Sequence, residues 1–205
     1  MNYKFVKYKK LYLKEAAKMM GETWSMDKHL KGLKDRSIIY SILFKLSYID
    51  SDYCDMVVDK NGKLLGFLLA GKTEKSKHIG AGIEFIFNLI IGKFGKRINA
   101  VKVMLKMARD FNEIMSDSIN YDNEIKLFFV SEDARGLGLG KKMMNRYIGY
   151  CKKENIRRII LMTDEGCNYG FYDHYGFSQI NRTHSVLFDK PELKYNGYAY
   201  AMVIR

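Results

Sequence analysis

The chain has 205 residues, 47% of them hydrophobic, a single proline, and a formal charge of +12 from 35 basic against 23 acidic side chains. That length can bury a real core, and the composition, with no Pro/Gly/Ser-rich linker, excludes disorder and predicts one domain over residues 1–205. The excess of positive charge implies affinity for an anion: a nucleic acid, a membrane surface or a phosphorylated cofactor.

Three cysteines (Cys54, Cys151 and Cys167) share no metal-type spacing, and His29, His78, His174 and His184 lie far apart. Neither a metal site nor a disulfide framework is expected. The basic N-terminal stretch lacks the uninterrupted apolar run and small-residue cleavage site of a signal peptide, so cytoplasm is the default expectation.

In chain order, Tyr3–Tyr8 reads as a first strand and Tyr12–Gly21 as a helix with Leu13, Ala16, Ala17 and Met20 on one side. A second amphipathic helix is predicted over Ser37–Ile49. The run DMVVDKNGKLLGFLLAG places two apolar strands around Asn61-Gly62, which predicts a hairpin with a two-residue turn. Residues 72–120 are basic and helical in character and form a predicted insertion. Its segments GIEFIFNLII and INAVKVMLKMARDFNEIM are both shorter than the ~20 apolar residues that cross a bilayer. They suit helices packed on a sheet, or a wall over a substrate site.

Glu124–Val130 is the next strand, followed by the glycine-rich stretch EDARGLGLGKKMM, a helix over Leu139–Lys152 and a strand over Ile156–Thr163. A strand, a crossover helix and a second strand within about 40 residues imply a parallel βαβ unit. A short helix over Asn168–Tyr175 stops at Gly176. Two strands, Phe177–Phe188 and Tyr198–Ile204, close the chain.

Glycines ahead of a helix allow close backbone approach to a ligand, and the first-turn N–H groups and helix dipole favour an anion. A phosphate is the natural occupant. The dinucleotide fingerprint fails because the sixth position counted from Gly136 is Lys141. The Walker loop fails because Lys142, not a hydroxyl residue, follows Gly140-Lys141, and Arg135 stands where the leading glycine belongs. What fits is Arg-x-x-Gly-x-Gly, carried by Arg135, Gly136, Leu137, Gly138, Leu139 and Gly140 behind a strand ending at Val130.

Here the sequence resembles the GNAT N-acetyltransferase family, whose loop for the pyrophosphate of acetyl-coenzyme A has this spacing at a strand-to-helix junction. GFYDHYGF (170–177) resembles the family's late helix, with Phe171, Tyr172, Gly176 and Phe177 in the matching places. The resemblance is specific over Glu124–Phe177, looser over Met1–Gly71 and weakest over Lys72–Asn120. It implies an α/β, GNAT-like acyl-CoA N-acyltransferase fold: a twisted mixed sheet of about six or seven strands with a splayed parallel pair, and helices on both faces.

It also implies a chemistry. The splay would fall between Phe128–Val130 and Leu161–Thr163, with main-chain groups of Phe129 and Val130 binding the pantetheine arm. Backbone N–H groups over Gly136–Lys141 would cradle the pyrophosphate, with charge from Arg135 and Lys141. Direct transfer of acetyl from thioester to amine needs a base, an oxyanion donor and an acid. The resemblance gives the acid to Tyr172 and the oxyanion donor to a backbone N–H near Val130. Glu124 is the candidate base, with Asp122, Glu84 and Tyr121 as rivals.

Where the family usually carries an Asn seven residues before the Tyr, this chain has Glu165. Asn168, four before it, is the candidate to cap the helix and bond to the cofactor. Cys167 lacks a histidine at a telling spacing other than His174 in the same segment, which argues against thiol catalysis.

The implied function is acetyl transfer from acetyl-CoA to a primary amine of a small molecule or peptide, without a metal. A catalytically silent acyl-CoA-binding module is the alternative. Nucleic-acid binding is not expected, for want of a zinc finger, a stacking signature or a recognition helix. A homodimer that exchanges closing strands is possible in such folds. The Phe- and Ile-rich insertion suits an apolar or aromatic amine.

Overall fold

Two adjacent strands, β3 (Leu64–Lys72) and β4 (Asn123–Val130), carry the centre of the fold. A computed structural model describes residues 2–24, 37–73, 97–185 and 195–205. Around the central pair lie β1 (Tyr3–Val6), β2 (Tyr53–Asp59), β5 (Arg158–Asp164), β6 (Ser178–His184) and β7 (Asn196–Val203). They form a seven-stranded sheet in the order β1-β2-β3-β4-β5-β7-β6. β4 and β5 run parallel, and the other pairings are antiparallel. The mixed α/β sheet with one parallel pair is therefore as the sequence implied.

Every residue of β3 from Leu64 to Gly71 is buried, as a strand covered on both faces must be. On one face α1 (Leu13–Trp24) and α2 (Ser37–Ile49) pack Ala16, Met20, Ile39 and Phe44 against Met56, Phe67, Leu69, Leu127 and Phe129. On the other face α4 (Leu139–Lys153) and α5 (Gly170–Tyr175) bury Leu139, Met143, Tyr147 and Tyr172 against Leu68, Ile125, Ile159, Leu161 and Tyr200. A smaller cluster joins Ile114, at the end of α3 (Arg97–Ile114), and Met115 to Ile160 and Ala199. Since Ile159 and Leu161 point toward α4, Ile160 points to the opposite face, and α3 shares that face with α1 and α2.

The hairpin differs from expectation. Asp59 N–H donates to the Lys63 carbonyl at 3.0 Å, so three residues connect the strands, not two. The Asp59 carboxylate accepts from the N–H groups of Asn61 and Lys63 at 2.8 and 2.9 Å, and Gly62 alone takes positive φ, at 85°. This is the three-residue turn that ends in a left-handed glycine. Of the predicted insertion, α3 is helical, while GIEFIFNLII lies outside the described residues.

Gly71 of β3 pairs with Glu124 and lies against the backbone at the end of α2: a Cβ there would run into the carbonyl oxygen of Asp50. Gly71→Ala is therefore expected to destabilise the fold by about 2 kcal/mol through overpacking, read as a lower urea midpoint. An unshifted midpoint would mean that α2 yields at this contact.

Candidate active site

The glycine loop begins where β4 ends. Gly136 and Gly138 take positive φ of 76° and 69°, and Gly138 is the residue before the first turn of α4, with no side-chain cap. A Cβ at either position would meet nothing within 4 Å, so these glycines supply conformation, not clearance. For an L side chain that left-handed conformation costs roughly 1–2 kcal/mol. The N–H groups of Leu139, Gly140 and Lys141 open the helix and have no intrahelical acceptor by construction.

Arg135 is half exposed, with Nη1 3.5 Å from Glu132 Oε1. Lys141 is exposed, whereas Lys142 turns away and donates from Nζ to the Tyr3 hydroxyl at 2.6 Å. Side-chain bonds to the sheet fix α4 itself. Arg146 donates to the buried Asp55 carboxylate from Nε at 2.6 Å and from Nη2 at 3.3 Å, and Tyr53 Oη donates to the same group at 2.7 Å. Tyr147 Oη donates to Asn123 Oδ1 of β4 at 2.7 Å.

β4 and β5 pair only from Asn123↔Ile159 to Ile125↔Leu161. Beyond Ile125 the strands part, so main-chain groups of β4 on that side have no ladder partner. At the same point Leu69 pairs with Leu127 but Ala70 with Ile125, which makes Lys126 the extra residue of a β-bulge. The bulge reverses the facing of the strand. Asn123 and Ile125 point toward α4 before it, whereas after it Leu127 and Phe129 point toward α1 and α2, and Phe128 and Val130 toward α4.

Glu124, between Asn123 and Ile125, therefore lies on the α1–α2–α3 face. Its Oε2 is 3.3 Å from Lys126 Nζ, with both side chains almost wholly buried, and the same ammonium donates to the Lys72 carbonyl at 3.4 Å. Lys126 was missed by sequence reasoning. Its signal was a lysine inside the otherwise apolar run IKLFFV of β4, two residues after an acid.

One cavity of about 1400 Å³ joins these parts. Glu124, Phe129, Val130, Arg135, Gly136, Gly138, Leu139, Gly140, Lys141, Asn168 and Tyr172 all line it; Leu137 does not, and its side chain is half exposed. Asp122 and Tyr121 are also absent from its walls. Partial burial works against the Asp122 carboxylate, yet the N–H groups of Arg158 and Arg157, at 2.8 and 2.9 Å, and the Arg158 guanidinium hold it below the usual range. Glu84 lies outside the described residues.

Tyr172 is buried among Phe171, Phe177 and Tyr200. Burial, then the neighbouring Cys167 and Asp164, push its phenol above the ordinary value. Burial also pushes the Cys167 thiol up to about 12, with the Asp164 carboxylate adding to it, which leaves little thiolate for a nucleophilic role. Asn168 does not cap α5: the position before the helix belongs to Tyr169, and no side chain caps it. Glu165 is committed to β7, where the Asn196 amide at 2.6 Å and the Tyr198 hydroxyl at 3.0 Å hold its carboxyl below the usual range. Among the described residues, no group of three His, Cys, Asp or Glu side chains is placed to hold a metal. Nor is any helix among them long and apolar enough to cross a membrane.

Residues 93–186, which hold the glycine loop, the splayed strands and α5, match the family model of the acetyltransferase (GNAT) domain. The fold agrees over the whole chain. Arylalkylamine N-acetyltransferase 2 from Aedes aegypti superposes with a TM-score of 0.65 at 14% identity, with 100% of both chains covered. A GNAT-family acetyltransferase from Staphylococcus aureus Mu50 gives 0.56 at 15% identity over 99% of each chain. An agmatine N-acetyltransferase gives 0.58 at 9% identity, covering 99% of this chain and 100% of that one. No curated protein matches the chain in sequence.

Because Gly138 is needed for its φ alone, Gly138→Asn, which tolerates that region, is expected to keep most of the stability that Gly138→Ala loses. The difference should be about 1 kcal/mol in urea denaturation. Equal losses from both variants would show that the loop adopts another backbone in solution.

Proposed function

We propose that this protein is an acetyl-CoA-dependent N-acetyltransferase that acts on a primary amine by direct transfer. The observation that carries the reading is the cavity into which the left-handed glycine loop, the stretch of β4 that has parted from β5 and Tyr172 all open. The residues present fit the cosubstrate: the loop amides and the N-terminus of α4 suit a pyrophosphate, and the parted strands offer main-chain groups to an amide-containing arm. Acetyl-CoA supplies an acetyl group already activated as a thioester.

Arg135 and Lys141 add positive charge beside the loop amides. Phe129 and Val130 offer main-chain groups, one of them the candidate N–H for the developing oxyanion. Glu124 takes the proton given up by the attacking nitrogen, with Lys126 orienting its carboxylate. Tyr172 delivers a proton to the departing sulfur. Asn168 is retained as a cofactor-contacting residue on the cavity wall, without a capping role. Solved structures of similar fold are named for different acceptors, arylalkylamine in one and agmatine in another, so likeness alone does not choose the amine.

Thiol release from acetyl-CoA with a panel of amines tests the reading directly. A silent acyl-CoA-binding module would bind coenzyme A in calorimetry and release no thiol. Tyr172→Phe is expected to lower kcat about 100-fold while leaving the KM for acetyl-CoA nearly unchanged, and Glu124→Gln to lower kcat by a similar factor. Unchanged turnover in either variant would remove that residue from the chemistry.

The pH dependence follows from the environment of Tyr172. A phenol whose pKa is raised keeps its proton above the ordinary tyrosine value of about 10. No alkaline loss of kcat is therefore expected up to roughly pH 10, whereas an alkaline limb near pH 8 that Tyr172→Phe abolishes would contradict this assignment.

A further inference from the structure

The half of the cavity away from the glycine loop has a definite chemistry. Leu43, Leu46 and Ser47 of α2, with Asp50 just past its end, fall at helical spacing along one stripe, and on α3, Met107, Asp110, Phe111 and Ile114 do the same. Both stripes line the cavity, as do Trp24 from α1 and Phe129 from β4, whose rings meet at 5.2 Å. Trp24, Leu43, Leu46, Met107 and Phe111 are only partly buried, so apolar surface remains open to whatever enters. Such walls offer few hydrogen-bond partners to a peptide backbone, whose burial without partners is costly.

These walls also carry the carboxylates of Glu22, Asp50, Asp110 and Glu124, the last with Lys126 Nζ at 3.3 Å. Asp110 is buried and accepts a hydrogen bond from Ser185 Oγ at 2.5 Å. The apolar stripes disfavour a hydrated polycation, whose charges would lose water on entering.

We propose that the acceptor is a hydrophobic monoamine, a primary amine on an aryl or branched alkyl group, whose apolar body seats between the α2 and α3 stripes. This rests on the acetyl-transfer reading above and names its substrate class. The measurement is thiol release by the full chain with acetyl-CoA and 2-phenylethylamine, 3-methylbutylamine, spermidine or a lysine-containing hexapeptide with a free N-terminus. A kcat/KM at least tenfold higher for the two hydrophobic amines is expected, a ratio ordinary for an apolar pocket.

Phe111→Ala and Leu46→Ala are each expected to raise the KM for 2-phenylethylamine about tenfold and to leave the KM for acetyl-CoA unchanged, which also reports that the variants fold. Preference for spermidine or the hexapeptide would overturn the proposed acceptor and leave acetyl transfer standing. Release with no amine would overturn both, and calorimetry with coenzyme A would then separate a silent binding module from a protein that does not bind coenzyme A.

Discussion

A lysine in the middle of a strand buried on both faces has to have its charge met, and Lys126 meets it with Glu124 two residues earlier and the Lys72 carbonyl across the ladder. Two charges held out of water need good geometry to offset their desolvation. The geometry comes from the bulge, which takes one residue out of the alternation and lets Lys126 turn back toward Glu124. The same extra residue reverses the facing of everything after it, and the ladder to β5 stops there. Acid placement, the change of core and the opening of the sheet therefore share one local cause.

The opposite face is built to keep that opening fixed. α4 is tied to β2 through Arg146 and Asp55, and to β4 through Tyr147 and Asn123, while Arg146 also lies over the Phe5 ring at 4.1 Å. A loop that relies on backbone N–H groups gains from such anchoring, since a rigid element holds its donors in place without further ordering. On the α1–α2–α3 face the apolar residues fall into two separate clusters, one under α1 and α2 and one at the end of α3. The cavity is lined by Leu43 and Leu46, which pack on the first, and by Phe111 and Ile114 of the second.

The sequence carried the loop plainly because a left-handed backbone and an unpaired helix start restrict residue type: Gly136 and Gly138 are where they must be. The parallel pair was legible because a strand, a crossover helix and a second strand follow one another within about 40 residues. The hairpin was misjudged by one residue because the Asp59 carboxylate, a side-chain contribution that a dipeptide rule omits, organises the turn. Asn168 looked like a cap from its residue type, but the helix starts two residues later than assumed. The walls proposed for the acceptor were left open between packing and a substrate wall for a deeper reason: Leu46 and Phe111 repeat at the same three- and four-residue intervals as core residues, and periodicity cannot tell a buried stripe from one facing a cavity.

Net charge misleads in a similar way. The excess of 12 positive charges suggests an anion-seeking surface, and at the glycine loop it agrees with Arg135 and Lys141 on the cavity wall. Elsewhere the walls of the same cavity are mostly apolar and also include the carboxylates of Glu22, Asp50, Asp110 and Glu124. A polyanionic cosubstrate and a cationic acceptor need opposite local fields, and a field focused within a cleft is set by its walls more than by the distant surface.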